Sequence, residues 1–255
     1  MANQARKAEQ LRSLHIPGKP LILFNIWDAG SAKAVAMAGA KAIATSSWSV
    51  ANANGFSDGE QTPLNFAIEN LRRIVEVTDL PVTIDLESGY ADAPEVVSET
   101  IGLAIEAGAI GCNLEDSFPA NGKLRKTIDQ VDRIRRARQT ADAADIRFFI
   151  NARTDVFFQR PPAQHDDVLV AEAIERARAY AEAGADGLFV PGLMDINLIA
   201  RLAEQSPLPL NIMVGEGTAA LRVLAEHGVA RVSYGPGPYL MAMKGLEERA
   251  RAASV

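Results

Sequence analysis

One junction recurs along this chain: a helical pattern ends in glycine, and an apolar strand pattern begins directly after it. It occurs as AMAGAKAIAT, IEAGAIGCNL, AEAGADGLFV and AEHGVARVSY, with the glycines at Gly39, Gly108, Gly184 and Gly228. Glycine just past a helix end readily takes the left-handed backbone conformation that terminates a helix, so each junction predicts a helix end followed by a strand. Helix and strand therefore alternate repeatedly along one chain.

Eight short apolar or β-branched runs fit this alternation. They predict strands at 21–25, 41–45, 81–85, 109–114, 147–151, 186–190, 208–213 and 230–234. Strands that are apolar along their whole length are typical of a parallel sheet with helices on its faces. We predict a (β/α)8 TIM-type barrel that forms a single catalytic domain over residues 1–255, since no Pro/Gly/Ser-rich linker divides the chain. A doubly wound open sheet is the alternative, although the dinucleotide fingerprint often found there is missing after the first strand.

Composition argues against several classes of function. A net charge of −6 does not suit a nucleic-acid-binding surface, which needs a basic face. No run of about 18 apolar residues predicts a membrane span, and the N-terminal segment lacks the apolar core of a secretory signal. The single cysteine, Cys112, cannot form an internal disulfide and suits a reducing compartment. We therefore expect a cytoplasmic protein that binds neither nucleic acid nor membrane.

Polar side chains gather where the predicted strands end, which is where the chemistry of a TIM barrel lies. The candidates are Asn25 and Asp28, Thr45 to Trp48 with Asp58 in the following loop, Asp85 and Glu87, Asn113, Glu115 and Asp116, Asn151, Arg153 and Asp155, Asn211, and Ser233. Because side chains alternate across a strand, Asp85 and Glu87 are expected to share one face, and the same spacing relates the polar residues of the fourth and fifth strands.

Four or five carboxylates at one barrel mouth cannot all stay ionised without a cation. A cluster of oxygen ligands suits Mg²⁺, with Mn²⁺ as an alternative, and several ligands reach such an ion through water. Asp85, Glu87 and Glu115 are the main metal candidates, whereas a single Asp after a strand, such as Asp28 or Asp92, is equally a loop residue or a helix cap.

Other residues narrow the chemistry. Arg153 is either a counter-ion for Asp155 or a bidentate ligand for a substrate carboxylate or phosphonate. The three histidines lie away from the strand ends, and no lysine ends a strand, which disfavours a zinc or iron site and a Schiff base. Cys112 is expected to be buried rather than nucleophilic. The segment YGPGPY at 234–239 predicts either a phosphate-binding loop or a tight turn.

The chain resembles the isocitrate lyase/phosphoenolpyruvate mutase superfamily from about residue 20 to about residue 240. The segments that carry the resemblance are NIWDAGSAKAVAMAGAKAIATSSWSVANANGFSDGE, TIDLESGYAD, CNLEDS and INARTDVF. It implies a modified (β/α)8 barrel, usually with the eighth helix swapped between partners, so we expect a homo-oligomer (dimer or tetramer). It also implies Mg²⁺ and a 2-oxo acid, or a phosphono or hydroxy relative, that reacts next to an enolate.

The resemblance assigns roles to residues at the strand ends. The metal-site carboxylates correspond to Asp85, as the direct ligand, and to Asp58, Glu87 and Glu115, mostly through water; Glu87 replaces the more usual aspartate. The substrate residues correspond to Ser46, Ser47 and Trp48 for its carboxylate and oxo group and to Arg153 for its acidic end, and Asn211 is a further predicted substrate contact. The predicted catalytic residues are Asp58, Arg153 and Tyr90, with Tyr90 or water as the proton donor.

The loop after the fourth strand departs from the family pattern. It reads EDSFPANGKLRKTIDQ and lacks the cysteine and histidine of the lyases that cleave isocitrate or methylisocitrate. Ser117 stands where mutase and phosphonopyruvate hydrolase loops begin with lysine, which weakens carbon–phosphorus chemistry. The leading hypothesis is a Mg²⁺-dependent carbon–carbon lyase on a small 2-oxo dicarboxylate, such as an oxaloacetate decarboxylase. A phosphonopyruvate hydrolase or mutase and a non-catalytic 2-oxo acid binding protein are the alternatives.

Overall fold

The computed structural model describes residues 2–254, in which strands and helices alternate. The strands are β1 (Leu21–Leu23), β2 (Ile43–Ala44), β3 (Val82–Asp85), β4 (Gly111–Glu115), β5 (Phe149–Arg153), β6 (Gly187–Val190), β7 (Leu210–Met213) and β8 (Arg231–Ser233). The helices are α1 (Ala2–Ser13), α2 (Ala29–Met37), α3 (Ser47–Ala53), α4 (Leu64–Glu76), α5 (Pro94–Glu106), α6 (Thr127–Ala143), α7 (Asp167–Ala183), α8 (Ile196–Gln205), α9 (Leu221–Glu226) and α10 (Gly237–Ala253). Two 3₁₀ turns, Val156–Gln159 and Pro162–Gln164, lie between β5 and α7.

The strands form one parallel sheet that curls into a nearly closed barrel. Their order is β1-β8-β7-β6-β5-β4-β3-β2, and each neighbouring pair is parallel. Just beyond β1, the amide of Ile26 donates to the carbonyl of Ala44 at 2.9 Å, and the amide of Ser46 donates to the carbonyl of Ile26 at 3.0 Å. These bonds join the two edges of the sheet. The predicted TIM-type barrel is confirmed, and the open sheet is wrong.

The glycine junctions behave as the sequence predicts. Gly39, Gly108, Gly184 and Gly228 have φ values of 91°, 98°, 104° and 81°, in the left-handed region. At Gly108 and Gly184 the neighbouring helix also leaves no room for a side chain, since a Cβ would lie 2.8 Å from Val75 and from Arg138 respectively. Glycine at these two positions therefore ends a helix and allows the preceding helix in the chain to pack closely against that end.

The strand ends differ from prediction in two places that matter for the site. β4 extends to Glu115 and β5 to Arg153, past the predicted ends at 114 and 151. Glu115 and Arg153 are register partners in the two strands, and their side chains form an ion pair. These two charged residues belong to the strands because the strands pair with each other there. A search for apolar runs could not detect strand ends of this kind. β2 is shorter than predicted.

The barrel interior is unusually polar in its middle layer. Inward-facing residues of a TIM barrel are mostly branched and apolar, but here a buried set includes Thr83, Asn113, Asn151, Asn211 and Arg231. Cys112 faces the helices and is fully buried, as predicted. None of the helices within residues 2–254 has the length and apolar character needed to cross a membrane.

Large apolar side chains are exposed to solvent on one side of the barrel. On the outer face of β1, Ile22 is exposed, as is Phe24 just beyond the strand. Among the described residues of α10, Pro238 alone is buried, and the exposed apolar side chains of this helix are Leu240, Met241, Met243 and Leu246. Ile22, Phe24 and these four side chains are called the uncovered wall below.

Candidate active site

A pocket opens at the C-terminal end of the barrel and is called the mouth pocket. Its polar lining is Asn25, Ser46, Ser47, Asp58, Asp85, Asn113, Arg153 and Ser233, and its remaining lining is Trp48, Phe158, Phe189, Pro191, Met213, Gly235 and Pro236. Six of the residues predicted from the sequence as metal-binding, catalytic or substrate-binding meet here: Ser46, Ser47, Trp48, Asp58, Asp85 and Arg153. The pocket therefore lies where barrel chemistry was predicted.

Asp85 ends β3 and is held from the β2 side. One carboxylate oxygen, Oδ2, accepts hydrogen bonds from the Ser47 hydroxyl at 2.9 Å and the Ser47 amide at 3.3 Å. The amide of Asp85 donates to the Thr45 hydroxyl at 2.8 Å. The other oxygen, Oδ1, is buried and has no hydrogen-bond partner in the described structure. A buried carboxylate oxygen without a partner is costly, and a bound cation would remove that cost.

Glu87 reaches the same region by a turn rather than by strand alternation. β3 ends at Asp85, and Glu87 adopts the left-handed region with φ 51°. Its Oε2 accepts a hydrogen bond from the amide of Glu60 at 2.7 Å. The prediction that Asp85 and Glu87 lie near each other is supported by the electrostatic effect of Asp85 on Glu87, but the strand-parity reason given for it is wrong.

Glu60 braces this turn and was missed from the sequence. Its Oε1 accepts hydrogen bonds from the Tyr90 amide at 2.8 Å and the Ser88 hydroxyl at 2.7 Å. Glu60 and Tyr90 both have φ 61°, like Glu87 in the left-handed region. Non-glycine residues there cost free energy unless surrounding contacts hold them. The hydrogen bonds between Glu60 and residues 87–90 supply those contacts. The only sequence signal for a role of Glu60 was its position two residues after Asp58.

Burial and mutual repulsion raise the pKa values of these carboxyls. Burial, followed by the charges of Asp58 and Asp85, raises the pKa of Glu87 to about 8. Asp58, on the loop between α3 and α4, has the most exposed side chain of the group; surrounding protein, and then the carboxylate of Asp85, raise its pKa as well. Groups that resist ionisation together are stabilised as anions by a cation placed among them.

Arg153 is clamped between two carboxylates. Its Nε and Nη2 donate to Asp155 at 2.7 and 3.0 Å, and its Nη1 pairs with Glu115 at 2.8 Å. Burial disfavours the guanidinium charge, but Glu115 and Asp155 outweigh burial and hold the pKa of Arg153 above its ordinary value. Burial also raises the pKa of Glu115 to about 8, against the opposing effect of Arg153. Arg153 is a counter-ion of Asp155, as one of the two sequence interpretations has it. It also lines the mouth pocket, and the other interpretation, a ligand for a substrate carboxylate or phosphonate, stays a prediction.

Ser117 completes this group and was noted in the sequence only as a departure from the family. Its hydroxyl lies 3.0 Å from Glu115 Oε1 and 2.8 Å from Asp155 Oδ2. It is buried, so a lysine at this position would need a different path to the pocket. The small residue therefore fits the Glu115–Arg153–Asp155 arrangement seen here.

Three other acidic candidates have structural contacts away from the pocket. Asp116 accepts hydrogen bonds from Tyr180 at 2.8 Å and Arg176 at 3.2 Å behind the barrel. Asp28 caps α2 through the amide of Ser31. Asp92 pairs with Arg125 at 2.7 Å.

Two predicted residues lie beside the mouth pocket rather than in its lining. Tyr90 lines a smaller adjoining pocket together with Asp85 and Glu87, and burial, followed by Glu87, raises its pKa. Asn211 is buried one layer below, where its Oδ1 accepts a hydrogen bond from the Ser233 hydroxyl at 3.1 Å. Ser233, not Asn211, borders the pocket.

Asn25 organises the loop after β8. Its Oδ1 accepts hydrogen bonds from the amides of Tyr234 and Gly235 at 2.9 and 3.0 Å, and its Nδ2 donates to the Thr45 carbonyl at 2.9 Å. The two amides that could have held a phosphate are therefore already bonded. The structure supports the tight-turn interpretation of YGPGPY.

The donor set fits Mg²⁺ with one direct protein ligand. Among residues 2–254, no three His, Cys, Asp or Glu side chains are grouped closely enough to hold an ion directly. Asp85 Oδ1 has no partner in the described structure. After burial, the charge of Asp85 contributes to the raised pKa values of Asp58, Glu87 and Glu115, so these carboxyls lie within electrostatic reach of it. Mg²⁺ commonly keeps several waters and takes only one or two carboxylates directly.

Comparison with known proteins identifies the family. The phosphoenolpyruvate phosphomutase model matches residues 11–254. The chain belongs to the phosphoenolpyruvate phosphomutase family. It is an enzyme of the isocitrate lyase/phosphoenolpyruvate mutase superfamily, as its sequence motifs predicted.

Relatives of this phosphomutase-family chain carry several activities. The 2-methylisocitrate lyase of Escherichia coli (strain K12) is 32% identical over 217 residues, which cover 78% of this chain and 70% of the relative. The oxaloacetate decarboxylase of Pseudomonas savastanoi pv. phaseolicola (strain 1448A / Race 6) is 32% identical over 184 residues, covering 69% and 60%. Their different names leave the substrate of this chain undetermined.

Solved structures agree with the barrel. A protein from Burkholderia cenocepacia J2315, provisionally named a phosphonomutase, is 57% identical, with a TM-score of 0.96 over 98% of this chain and 99% of that one. A phosphonopyruvate hydrolase crystallised with oxalate and Mg²⁺ is 22% identical, with a TM-score of 0.82 over 97% and 88%, and so shows the shared fold.

Proposed function

We propose that this enzyme is a Mg²⁺-dependent carbon–carbon lyase that acts on a small 2-oxo dicarboxylate through an enolate, with oxaloacetate decarboxylation as the model reaction. The observation that carries the proposal is the open, buried Oδ1 of Asp85 at the floor of a pocket that also contains Arg153. The carboxyls there outnumber the single arginine, so a bound cation would balance their negative charge. An anionic substrate would in turn be attracted by that cation and by Arg153. The related oxaloacetate decarboxylase gives the reaction type.

In this proposal Asp85, together with Asp58, Glu87 and Glu115, would hold Mg²⁺, and the bound ion would supply positive charge where the enolate develops. The Ser46–Trp48 segment, at the start of α3, is expected from the resemblance to hold the substrate's carboxylate and oxo group. The Ser46 amide donates to Ile26 and the Ser47 amide and hydroxyl donate to Asp85, so these groups would have to exchange partners when the substrate binds. Arg153 still has N–H groups on Nη1 and Nη2 beyond those bonded to Glu115 and Asp155, and these bind the far carboxylate. Loss of CO₂ leaves the bonding electron pair on the oxo group as an enolate.

Release of CO₂ needs no acid, which fits a pocket whose lining contains neither cysteine nor histidine. The enolate then takes one proton at carbon to give the 2-oxo acid product. Tyr90 and solvent remain the candidate donors. The raised pKa of Tyr90 keeps its proton in place at neutral pH, next to Asp85 and Glu87 in the adjoining pocket.

Carbon–phosphorus chemistry on phosphonopyruvate is the second candidate, favoured by the name of the family and of the 57% identical protein. Arg153 would then bind the phosphonate. Against it stands Ser117, which is buried between Glu115 and Asp155 where the mutase and hydrolase pattern has lysine. The remaining alternative from the sequence, a binding protein without turnover, does not agree with membership of a family of enzymes.

A pyruvate-release assay separates the two reactions. Purified protein is given oxaloacetate or phosphonopyruvate, each with Mg²⁺ and with EDTA, and the metal-catalysed background is subtracted with Asp85→Ala. Release from oxaloacetate that needs Mg²⁺ and Asp85 is the expected result. Release from phosphonopyruvate alone assigns the second candidate, and turnover of neither compound would overturn both.

A homo-oligomer is part of the same proposal. Ile22 and Phe24 of the uncovered wall are exposed beside a groove lined by Trp27, Pro238 and Met241. The swapped eighth helix expected from the resemblance would place α10 of one copy against Ile22 and Phe24 of another copy. Light scattering should give a dimer or tetramer, and the pair Met241→Glu and Leu246→Glu should shift the mass toward the monomer. Val168→Glu, at an equally exposed apolar residue of α7, is the control that should not.

A further inference from the structure

The floor of the mouth pocket is formed by an asparagine whose amide orientation is fixed from below. Asn113 is 6% exposed and lines the pocket. Its Oδ1 accepts hydrogen bonds from Asn151 Nδ2 at 2.9 Å and from Arg231 Nη2 at 3.3 Å. Arginine can only donate hydrogen bonds, so the oxygen of Asn113 must face downward and its nitrogen upward.

Arg231 reaches Asn113 across the barrel, from β8 to β4. It is 1% exposed, and its Nε and Nη1 have no hydrogen-bond partner in the described structure. A buried guanidinium with so few partners is an expensive residue for a barrel interior, where apolar side chains would pack without that cost. No carboxylate lies within ion-pair distance of it among residues 2–254, although Asp85 acts on it electrostatically.

The upward nitrogen of Asn113 faces the region where substrate would bind. Asn113 Nδ2 makes no hydrogen bond within residues 2–254, and it is not among the buried unpartnered atoms, so it remains accessible from the pocket. Asn113 is also the register partner of Asp85 on the neighbouring strand. An N–H donor accessible from the pocket and the carboxylate of Asp85, whose Oδ1 is buried without a partner, therefore come from register partners on neighbouring strands.

We propose that Asn113 is a substrate-binding residue that donates a hydrogen bond from Nδ2 to an anionic oxygen of the bound 2-oxo acid, and that Arg231 is its positioning residue. Without the Arg231 contact, the Asn113 amide can rotate by 180° and offer its oxygen to the substrate, because Asn151 carries both a donor and an acceptor. An acceptor facing an anionic oxygen repels it. The inference rests on the proposed function, since it names a further contact to the same substrate.

The test is calorimetric binding of oxalate, an enolate mimic, to the Mg²⁺-loaded protein. Asn113→Leu keeps the size of the side chain and removes the donor, and it should weaken oxalate binding by roughly tenfold to a hundredfold. Arg231→Met should weaken binding by roughly threefold to tenfold, while thermal stability is unchanged or higher because a poorly partnered buried charge has been removed. Thr83→Val is the matched control: it removes another buried, unpartnered polar group of the barrel interior and should not alter binding.

The double variant decides whether Arg231 acts through Asn113. If it does, Asn113→Leu with Arg231→Met should bind oxalate as weakly as Asn113→Leu alone, because the second change has nothing left to orient. Additive losses would mean that Arg231 acts only through its charge and would overturn the positioning role. Unchanged binding in Asn113→Leu would overturn the whole inference. Failure of the wild-type protein to bind oxalate with Mg²⁺ would instead overturn the proposed function, and this contact with it.

Discussion

The two sides of the mouth pocket are built from different chemistry. From β3 to β5 the residues are charged: the carboxyls of Asp85, Glu87, Glu115 and Asp155 share this side with one guanidinium, Arg153, which pairs with Glu115 and Asp155. From β7 round to β1 they are neutral, and their hydrogen bonds are largely made within the protein, as at Asn25 and between Ser233 and Asn211.

The difference shows which half needs a ligand. On the neutral side the pocket-lining Asn25 and Ser233 already have protein partners and give the pocket its shape. The acidic side has more negative than positive charge, raised carboxyl pKa values and the open oxygen of Asp85. Binding energy for a cation and an anionic substrate should therefore concentrate between β3 and β5. Variants on the two sides test this contrast.

The largest effect is expected at Asp85. Asp85→Ala removes the proposed direct metal ligand, so turnover should fall by roughly a thousandfold, with an unchanged far-ultraviolet circular dichroism spectrum. Steady-state rates with saturating Mg²⁺ provide the measurement. Turnover within tenfold of the wild type would show that the acidic side does not hold the catalytic cation.

Arg153 should come next. Arg153→Lys keeps the charge but loses the forked contact with Asp155 and the second donor to substrate, so kcat/KM should fall by roughly tenfold to a hundredfold. Arg135→Lys, in the exposed ion pair with Asp132, is the control and should leave kcat/KM unchanged. Equal rates for the two variants would mean that only the charge of Arg153 matters.

The acidic side should also make stability depend on pH. The carboxyls of Glu87 and Glu115 ionise near 4.5 when unfolded and near 8 in the fold, so the folded state binds more protons in this window. Stability without metal should therefore fall as pH rises from about 4.5 to about 8. Melting temperatures in EDTA measure the fall.

Glu87→Gln should flatten part of that fall, and Mg²⁺ should reduce it in the wild type by stabilising the ionised carboxylates. A pH profile identical in Glu87→Gln and the wild type would contradict the assignment of the effect to this residue.

The smallest effect is expected on the neutral side. Ser233→Ala removes the 3.1 Å hydrogen bond to Asn211 and should cost about 1 kcal/mol of unfolding free energy. Turnover should change by no more than about threefold, because the hydroxyl already has a protein partner. Chemical denaturation and steady-state kinetics measure the two quantities. A fall in turnover as large as the one expected for Arg153→Lys would contradict the proposed difference between the two sides of the pocket.

Much of the fold was predictable because its signals are local. The glycine junctions and apolar runs indicated the barrel, and Asp85 and Arg153 were found because barrel chemistry lies at strand ends. Glu87 was placed near Asp85 for the wrong reason, since a left-handed turn braced by Glu60 brings it there.

The rest depends on contacts between distant parts of the chain. The hydrogen bond from Arg231 to Asn113 joins residues 118 positions apart in the sequence. Nothing in the segments ARVSY and GCNLED, which contain these residues, indicates that bond. Asn211 was predicted to contact substrate as one of the polar residues where the strands end. It lies below Ser233 and outside the lining of the mouth pocket, and the contact stays a prediction. Depth within a barrel depends on strand register, which periodicity alone does not give.

The reach of Arg231 across the barrel has a consequence for the order of events during synthesis. β8 is the last strand to leave the ribosome, so Asn113, made more than a hundred residues earlier, stays without its fixing contact until translation is nearly finished. Docking of β8 also joins it to β1 and nearly closes the sheet. Closing the barrel and setting the floor of its pocket are thus one late step, and nascent chains that end before β8 cannot have a finished site.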